Sequence, residues 1–155
     1  MSRIDTIAAA TPGAVIEDSL GQVVVRVPRE SLVAAATAAR DAGFDYFIDV
    51  CAVDYLTRDP RFEVVVNLLS IDPPERVRFL AGVPGDDATA PSITGVFAGA
   101  DFYEREAFDL MGIEFTGHPD LTRILLPDEW VGYPLRKDSP VGSVPVQFKE
   151  ANRAT

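Results

Sequence analysis

Few residue types in this 155-residue chain could do chemistry, and they are unevenly placed. Carboxylates crowd one run, D-F-Y-E-R-E-A-F-D-L-M from Asp101 to Met111, in which Glu104 and Glu106 flank Arg105. Two carboxylates could serve an independent hydrolase as acid and base if both faced one substrate. On a helix, positions i and i+2 point about 200° apart, so this pair cannot. Cys51 and His118 are the single cysteine and the single histidine. An iron–sulfur cluster usually takes four thiolates and a structural zinc four Cys or His ligands, so the chain alone can build neither. A disulfide within it is impossible. Neither G-x-G-x-x-G nor G-x-x-x-x-G-K-[ST] occurs, which removes the common nucleotide cradles. No cofactor and no metal is therefore expected. Cys51, on a strand, is expected to be a small buried hydrophobe rather than a reactive thiol. His118, between Gly117 and Pro119, has two readings: a proton-handling group, or a turn residue donating to a backbone carbonyl.

The carboxylate run needs a helix to carry it. Asp101 as N-cap with Glu104 three residues on resembles a capping box. Tyr103, Ala107, Leu110 and Met111 then share an apolar face, Arg105 pairs one turn away with Asp101 and Asp109, and Gly112 ends the helix. These pairings account for most of the charges. Glu106 is the exception: it sits one turn from both Tyr103 and Leu110 at the edge of the buried face, where a carboxylate needs a partner. An arginine from the downstream segment or from a neighbouring protein would serve.

That downstream segment, 113–155, reads as an extended arm. Pro119, Pro127, Pro134, Pro140 and Pro145 recur every five to eight residues, and each removes a backbone donor. Phe115, Ile124, Leu125, Leu126, Trp130, Val131 and Leu135 are too apolar to leave in water. An arm that cannot close a core of its own must lie on the domain surface or on a partner, and the partner is the favoured reading. The interface candidates are Glu106, His118, Arg123, Trp130, Arg136, Lys137 and Asp138. For Arg123 the alternative is a solvated charge, and for Trp130 a cover over the domain's own core. The Arg136-Lys137-Asp138 block within apolar sequence favours an interface.

Upstream, residues 1–112 read as one α+β domain. Ser2 can cap a short helix with Ile4 and Ile7 on one face, stopped by Pro12-Gly13. Ala14–Ile16 and Gln22–Val27 read as a hairpin joined by Asp18 to Gly21. Ser31 precedes an Ala-rich helix with Leu32, Ala35, Ala36 and Ala39 at helical spacing, and Gly43 suits a left-handed cap. Phe44, Tyr46, Ile48 and Val50 alternate as one strand face, and Phe62, Val64, Val66 and Leu68 as another. Residues 75–83 are read as a strand, Gly82 to Pro91 as a loop, and Ser92 to Ala98 as a short helix. The sum is a two-layer domain with a mixed sheet of four to five strands and packed helices.

Composition sets the outer limits. A hydrophobic fraction of 47% with 25% charged residues is ordinary for a globular chain. No apolar run approaches the roughly 18 to 20 residues of a membrane span. Met1 to Pro12 lacks a secretory apolar region, so a cytosolic protein is expected. The net charge of −10 disfavours nucleic acid and anionic lipid as partners. Arg outnumbers Lys twelve to two, which suits bidentate pairing between proteins but is also what codon bias produces.

Four blocks carry a resemblance. Glu104 to Leu126 (E-R-E-A-F-D-L-M-G-I-E-F-T-G-H-P-D-L-T-R-I-L-L) and Trp130 to Pro140 (W-V-G-Y-P-L-R-K-D-S-P) resemble the C subunit of bacterial NADH–quinone oxidoreductase, respiratory complex I. So do Gly43 to Tyr55 and Arg61 to Ser70, so that the likeness runs from about Val23 onward. Ser139 departs from it, standing where the family usually has an aromatic. The resemblance implies a structural, non-catalytic component of the hydrophilic arm, without flavin, cluster or quinone of its own. Those cofactors would belong to partner subunits. It further implies that the chain braces the quinone-proximal D subunit beside cluster-bearing subunits. The complex would hold it peripherally at the cytoplasmic face of the membrane, supporting electron transfer from NADH to quinone and coupled proton translocation. The alternative is the equivalent component of a membrane-bound hydrogenase or formate-hydrogenlyase-type complex.

Overall fold

The structure, a computed structural model, describes residues 1–140. The part of the expected arm with Pro145 lies outside the described residues. Helix α1 (Arg3–Ala10) starts with the capping box its sequence calls for: the Ser2 side chain accepts from the Asp5 amide at 3.0 Å while the Asp5 carboxylate accepts from the Ser2 amide at 2.8 Å. Strands β1 (Val15–Ser19) and β2 (Gln22–Pro28) form the expected antiparallel hairpin. Helix α2 (Leu32–Asp41) lays Leu32, Ala35, Ala36 and Ala39 on the core. Its end is closed by Gly43, at φ +90°: the Gly43 amide donates to the Arg40 carbonyl and the Phe44 amide to the Ala39 carbonyl, the paired bonds of a Schellman motif.

Strands β3 (Tyr46–Asp54), β4 (Phe62–Ser70) and β5 (Glu75–Val83) complete a five-stranded mixed sheet in the order β1-β2-β5-β4-β3. The β2–β5 pair is parallel and the others antiparallel. Phe62, Val64, Val66 and Leu68 of β4 are all fully buried beside Phe79, Ala81, Val25 and Val27, and α1 and α2 pack over this face. Each large side chain buried there contributes roughly 1.5–3 kcal/mol.

Four expectations are corrected. The face Phe44, Tyr46, Ile48, Val50 is not continuous, because a register shift between Phe47 and Asp49 bulges β3 at Ile48. Tyr46 is consequently exposed, while Phe47 turns inward against Phe97 and Val50 lies in the core. Cys51, on the outward side of the same strand, is exposed rather than buried. The loop expected from Gly82 to Pro91 ends in a short strand, β6 (Thr89–Pro91), and Ser92 to Ala98 forms turns rather than a helix.

Helix α3 (Ala100–Met111) follows, then β7 (Glu114–Thr116), parallel to β6. Ile113 and Phe115 are core residues, so the domain runs past Gly112 to Thr116. From 117 to 140 there is neither helix nor strand, and this segment is laid back against α3 and the sheet.

Candidate functional site

Helix α3 does not begin as its sequence suggests. Gly99 is the N-cap and no side chain caps the helix, so Asp101 lies inside the first turn. Its neighbour Glu104 faces inward and is fully buried. There it accepts from the Ser92 hydroxyl at 2.6 Å and the Ile93 amide at 2.8 Å, fastening the preceding turn to the helix. Burial pushes the Glu104 carboxyl up, against these hydrogen bonds. The His118 side chain is fully buried beside it. Its Nδ1 accepts from the Asp120 amide at 3.1 Å, which leaves Nε2 to donate to the Asp101 carbonyl at 3.2 Å. His118 therefore occupies the turn role.

One turn on, Asp109 is also fully buried, and it bonds forward along the chain rather than back to Arg105. One oxygen accepts from Arg123 at 2.7 Å; the other accepts from the amides of Ile124, Leu125 and Leu126 at 2.8–3.1 Å. Burial alone would raise this carboxyl, but the three amides and the guanidinium outweigh it and hold it at about 2. Arg123 also donates to the Trp130 carbonyl at 3.1 Å, and Trp130 itself is half-buried. Arg105 donates to the carbonyls of Thr122 and Arg123.

The next anchor is at the end of α3. Gly112, at φ +69°, closes the helix, and a Cβ there would come within 2.5 Å of the Tyr133 ring and 2.7 Å of Arg136. Arg136 donates to the carbonyls of Met111 at 2.6 Å and Gly112 at 3.2 Å, with its guanidinium 4.6 Å from the Tyr133 ring centre and 5.1 Å from that of Phe62. Beyond it, Asp54 at the end of β3 accepts from Arg61 and from the Lys137 amide, while Arg61 also reaches Asp138. Arg61, chiefly, holds the Asp54 carboxyl far below the usual range. The Lys137 side chain is exposed.

The structure thus gathers the candidates in two ways. His118, Arg123, Arg136 and Asp138 hold segment 117–140 to the domain, whereas Trp130 bonds Arg123 and Pro127 within the segment. Glu106 remains outside these networks: exposed, with no hydrogen bond among the described residues, it lines a cleft of about 170 Å³ with Cys51, Tyr103, Leu110 and Leu135. Tyr103 and Leu135 of this cleft are exposed, as are Phe102 on α3 and Leu125 and Val131 on the segment. Leu135 donates its amide to the Leu110 carbonyl, and Arg105 stacks on Phe102 while holding Thr122. Sequence reasoning missed the inward roles of Glu104 and Asp109, whose partners lie 11 to 17 residues away where no local spacing shows them. No group of three His, Cys, Asp or Glu side chains able to hold a metal ion is found among the described residues.

An α+β domain with its charged motifs bonded internally and an apolar strip outside has the form of an assembly component. Solved structures share this fold. A trypsin-resistant fragment of Nqo5 superposes with a TM-score of 0.69 at 36% identity, covering 77% of this chain and 100% of that one. A chain of the membrane-bound sulfane sulfur reductase, an archaeal respiratory membrane complex, matches at TM-score 0.73 but 20% identity, which speaks for the fold alone. The family profile described as respiratory-chain NADH dehydrogenase, 30 Kd subunit, matches residues 25–144, and the chain belongs to that family. Among its relatives, the C subunit of NADH-quinone oxidoreductase from Roseiflexus sp. (strain RS-1) is 43% identical over 94% of this chain and 86% of its own length. The first of the C subunits of NADH-quinone oxidoreductase in Rhizobium meliloti (strain 1021) is 49% identical over 91% of this chain and 74% of its own length.

Proposed function

We propose that this chain is a non-catalytic structural component of an NADH–quinone oxidoreductase, which it serves by bracing its neighbours rather than by carrying electrons. The observation that carries the reading is the division of labour around α3. Glu104, Asp109, Arg123 and Arg136 are bonded inward, and the face left outward is Phe102, Tyr103, Leu125, Val131 and Leu135. Exposed apolar side chains gathered on one face mark a protein interface better than a reaction centre. In this reading the face rests on the quinone-proximal D subunit, near cluster-bearing subunits that hold the flavin and iron–sulfur clusters. The chain contributes indirectly to electron transfer from NADH to quinone and to proton translocation. Among the described residues no helix is long and apolar enough to cross a membrane. Attachment at the cytoplasmic face would then come through the complex.

The hydrogenase-type alternative has less support. The relatives at 43% and 49% identity bear NADH-quinone oxidoreductase names, while the sulfane sulfur reductase chain shares the fold at 20%. Purification of the complex through a tag on its quinone-proximal subunit tests the proposal. This chain is expected in equal amount to that tagged partner; purified alone, it is expected to be free of iron and flavin and to show no NADH–acceptor activity. Flavin or iron retained in stoichiometric amount, or absence from the tagged complex, would contradict it.

A further inference from the structure

The sheet has a second face, opposite the core, on which no helix of the described residues lies. Its middle is closed by the chain's own side chains. Glu63, 5% exposed, accepts from Arg26 at 2.7 Å and from the Tyr55 hydroxyl at 3.1 Å, Arg26 also reaches Glu17, and Val24 and Val65 are buried below. At the end of the sheet where β2 and β5 begin, the closure stops. A cleft of about 420 Å³ opens there, lined by Gln22, Val23, Ile48, Asp49, Asn67, Arg76 and Arg78, among others.

The charges in this cleft do not balance. Arg3, Arg26, Arg29, Arg40, Arg61 and Arg123 each have a carboxylate within 4.0 Å. Arg76 and Arg78 have none among the described residues. Asp49 is the carboxylate lining the cleft, and it accepts from the Asn67 amide group at 2.7 Å, which turns the Asn67 oxygen to Arg78 Nε at 3.0 Å. That relay fixes the Arg78 guanidinium by one nitrogen and leaves its outer edge available for a bidentate acceptor. The nearby Asp18 carboxylate is held at the hairpin turn by the Gly21 amide. Two guanidiniums facing one carboxylate make a local positive site on a chain whose net charge is −10. The rim is suited to protein rather than to a small ion. The register places Tyr46, 56% exposed, in the same row as half-buried Leu69 and exposed Arg76. Tyr and Arg together over apolar ground are the composition of an interface hot spot.

We propose that this cleft docks an acidic segment of a neighbouring protein of the complex, with an Asp or Glu carboxylate between Arg76 and Arg78 and apolar contact on Tyr46 and Leu69. It would be a second contact surface, on the face of the sheet opposite the α1 and α2 layer, and it rests on the reading of the chain as part of a larger complex. The test places a photo-reactive benzoylphenylalanine at Tyr46 in the assembled complex, purified through a tag on the quinone-proximal subunit. One neighbouring protein is expected to be crosslinked, through a peptide that carries Asp or Glu. Arg76→Glu or Arg78→Gln is expected to lower the crosslink yield about tenfold or more, as loss of an interfacial charge pair does. The exposed control Arg40→Glu, on α2, is expected to leave it unchanged. Arg76 is exposed, and melting of the purified Arg76→Glu chain at the wild-type temperature separates docking from folding. A complex that contains this chain but yields no crosslinked peptide, or the same yield with Arg76→Glu, would overturn the proposal. Inorganic phosphate binding to the purified chain without any crosslink would make the cleft a small-anion site and overturn it equally. A tagged complex lacking this chain altogether would instead defeat the assembly reading, and the docking site would fall with it.

Discussion

Asp109 carries more of the structure than any other charged residue around α3. Four donors converge on its two oxygens, so Asp109→Ala leaves a part-buried guanidinium without its carboxylate and strands three amides. The expected cost in chemical denaturation of the purified chain is about 3 kcal/mol or more; an unchanged midpoint would mean the segment is held by other contacts. Acid provides a second check. Because the folded carboxyl sits at about 2, below its ordinary 3.8, its stabilisation is present above the ordinary value and lost as pH falls through the folded one. The stability gap between wild type and Asp109→Asn should therefore shrink by about 2 kcal/mol between roughly pH 5 and pH 2, and a gap independent of pH would contradict the depressed pKa. Arg136 makes a related case. Two carbonyl bonds and stacking on Tyr133 and Phe62 make it part of this chain's own packing. Arg136→Ala is expected to destabilise the isolated chain by about 2 kcal/mol, and Arg136→Lys to restore little of it. Melting at the wild-type temperature would return Arg136 to the interface. The sequence showed that Arg136 stood in apolar surroundings but not whose surroundings, because Met111 and Phe62 are reached only through the fold.

Among the elements, legibility followed the range of the forces involved. The β4 alternation and the Ser2–Asp5 cap are set by residues within a turn or a strand of each other, and both were readable. Ser2→Ala should accordingly cost about 1 kcal/mol, measured by denaturation, with no loss placing the start of α1 elsewhere. The β3 bulge was not readable, since the extra residue Ile48 is defined by its pairing with β4, 18 or so residues on. Nor was the start of α3: Asp101 and Glu104 have capping-box spacing, yet Glu104 turns inward to Ser92 and Ile93 because that turn needs an acceptor. Asp101→Ala should therefore cost well under the roughly 1 kcal/mol of a true cap; a loss as large as that of Ser2→Ala would restore Asp101 to the capping role.

For the whole molecule, the family and the α+β layering were legible from long ordered motifs, whereas the two outward surfaces were not. The strip of Phe102, Leu125 and Leu135 exists only because Asp109 and Arg136 fold the segment over α3. The cleft at Arg76 and Arg78 exists only because β2 and β5 start side by side. Assembly tests the structural role most directly. In cells whose own copy is replaced by the Phe102→Glu, Leu125→Glu double variant, both substitutions fall on exposed side chains, so the purified chain should melt as wild type does. Retention of this chain in the tagged complex and membrane NADH–quinone reductase activity should then fall together, in the same proportion. A complex that keeps the variant in full amount and stays active would contradict the interface, and one that keeps it in full amount while losing activity would contradict the non-catalytic role.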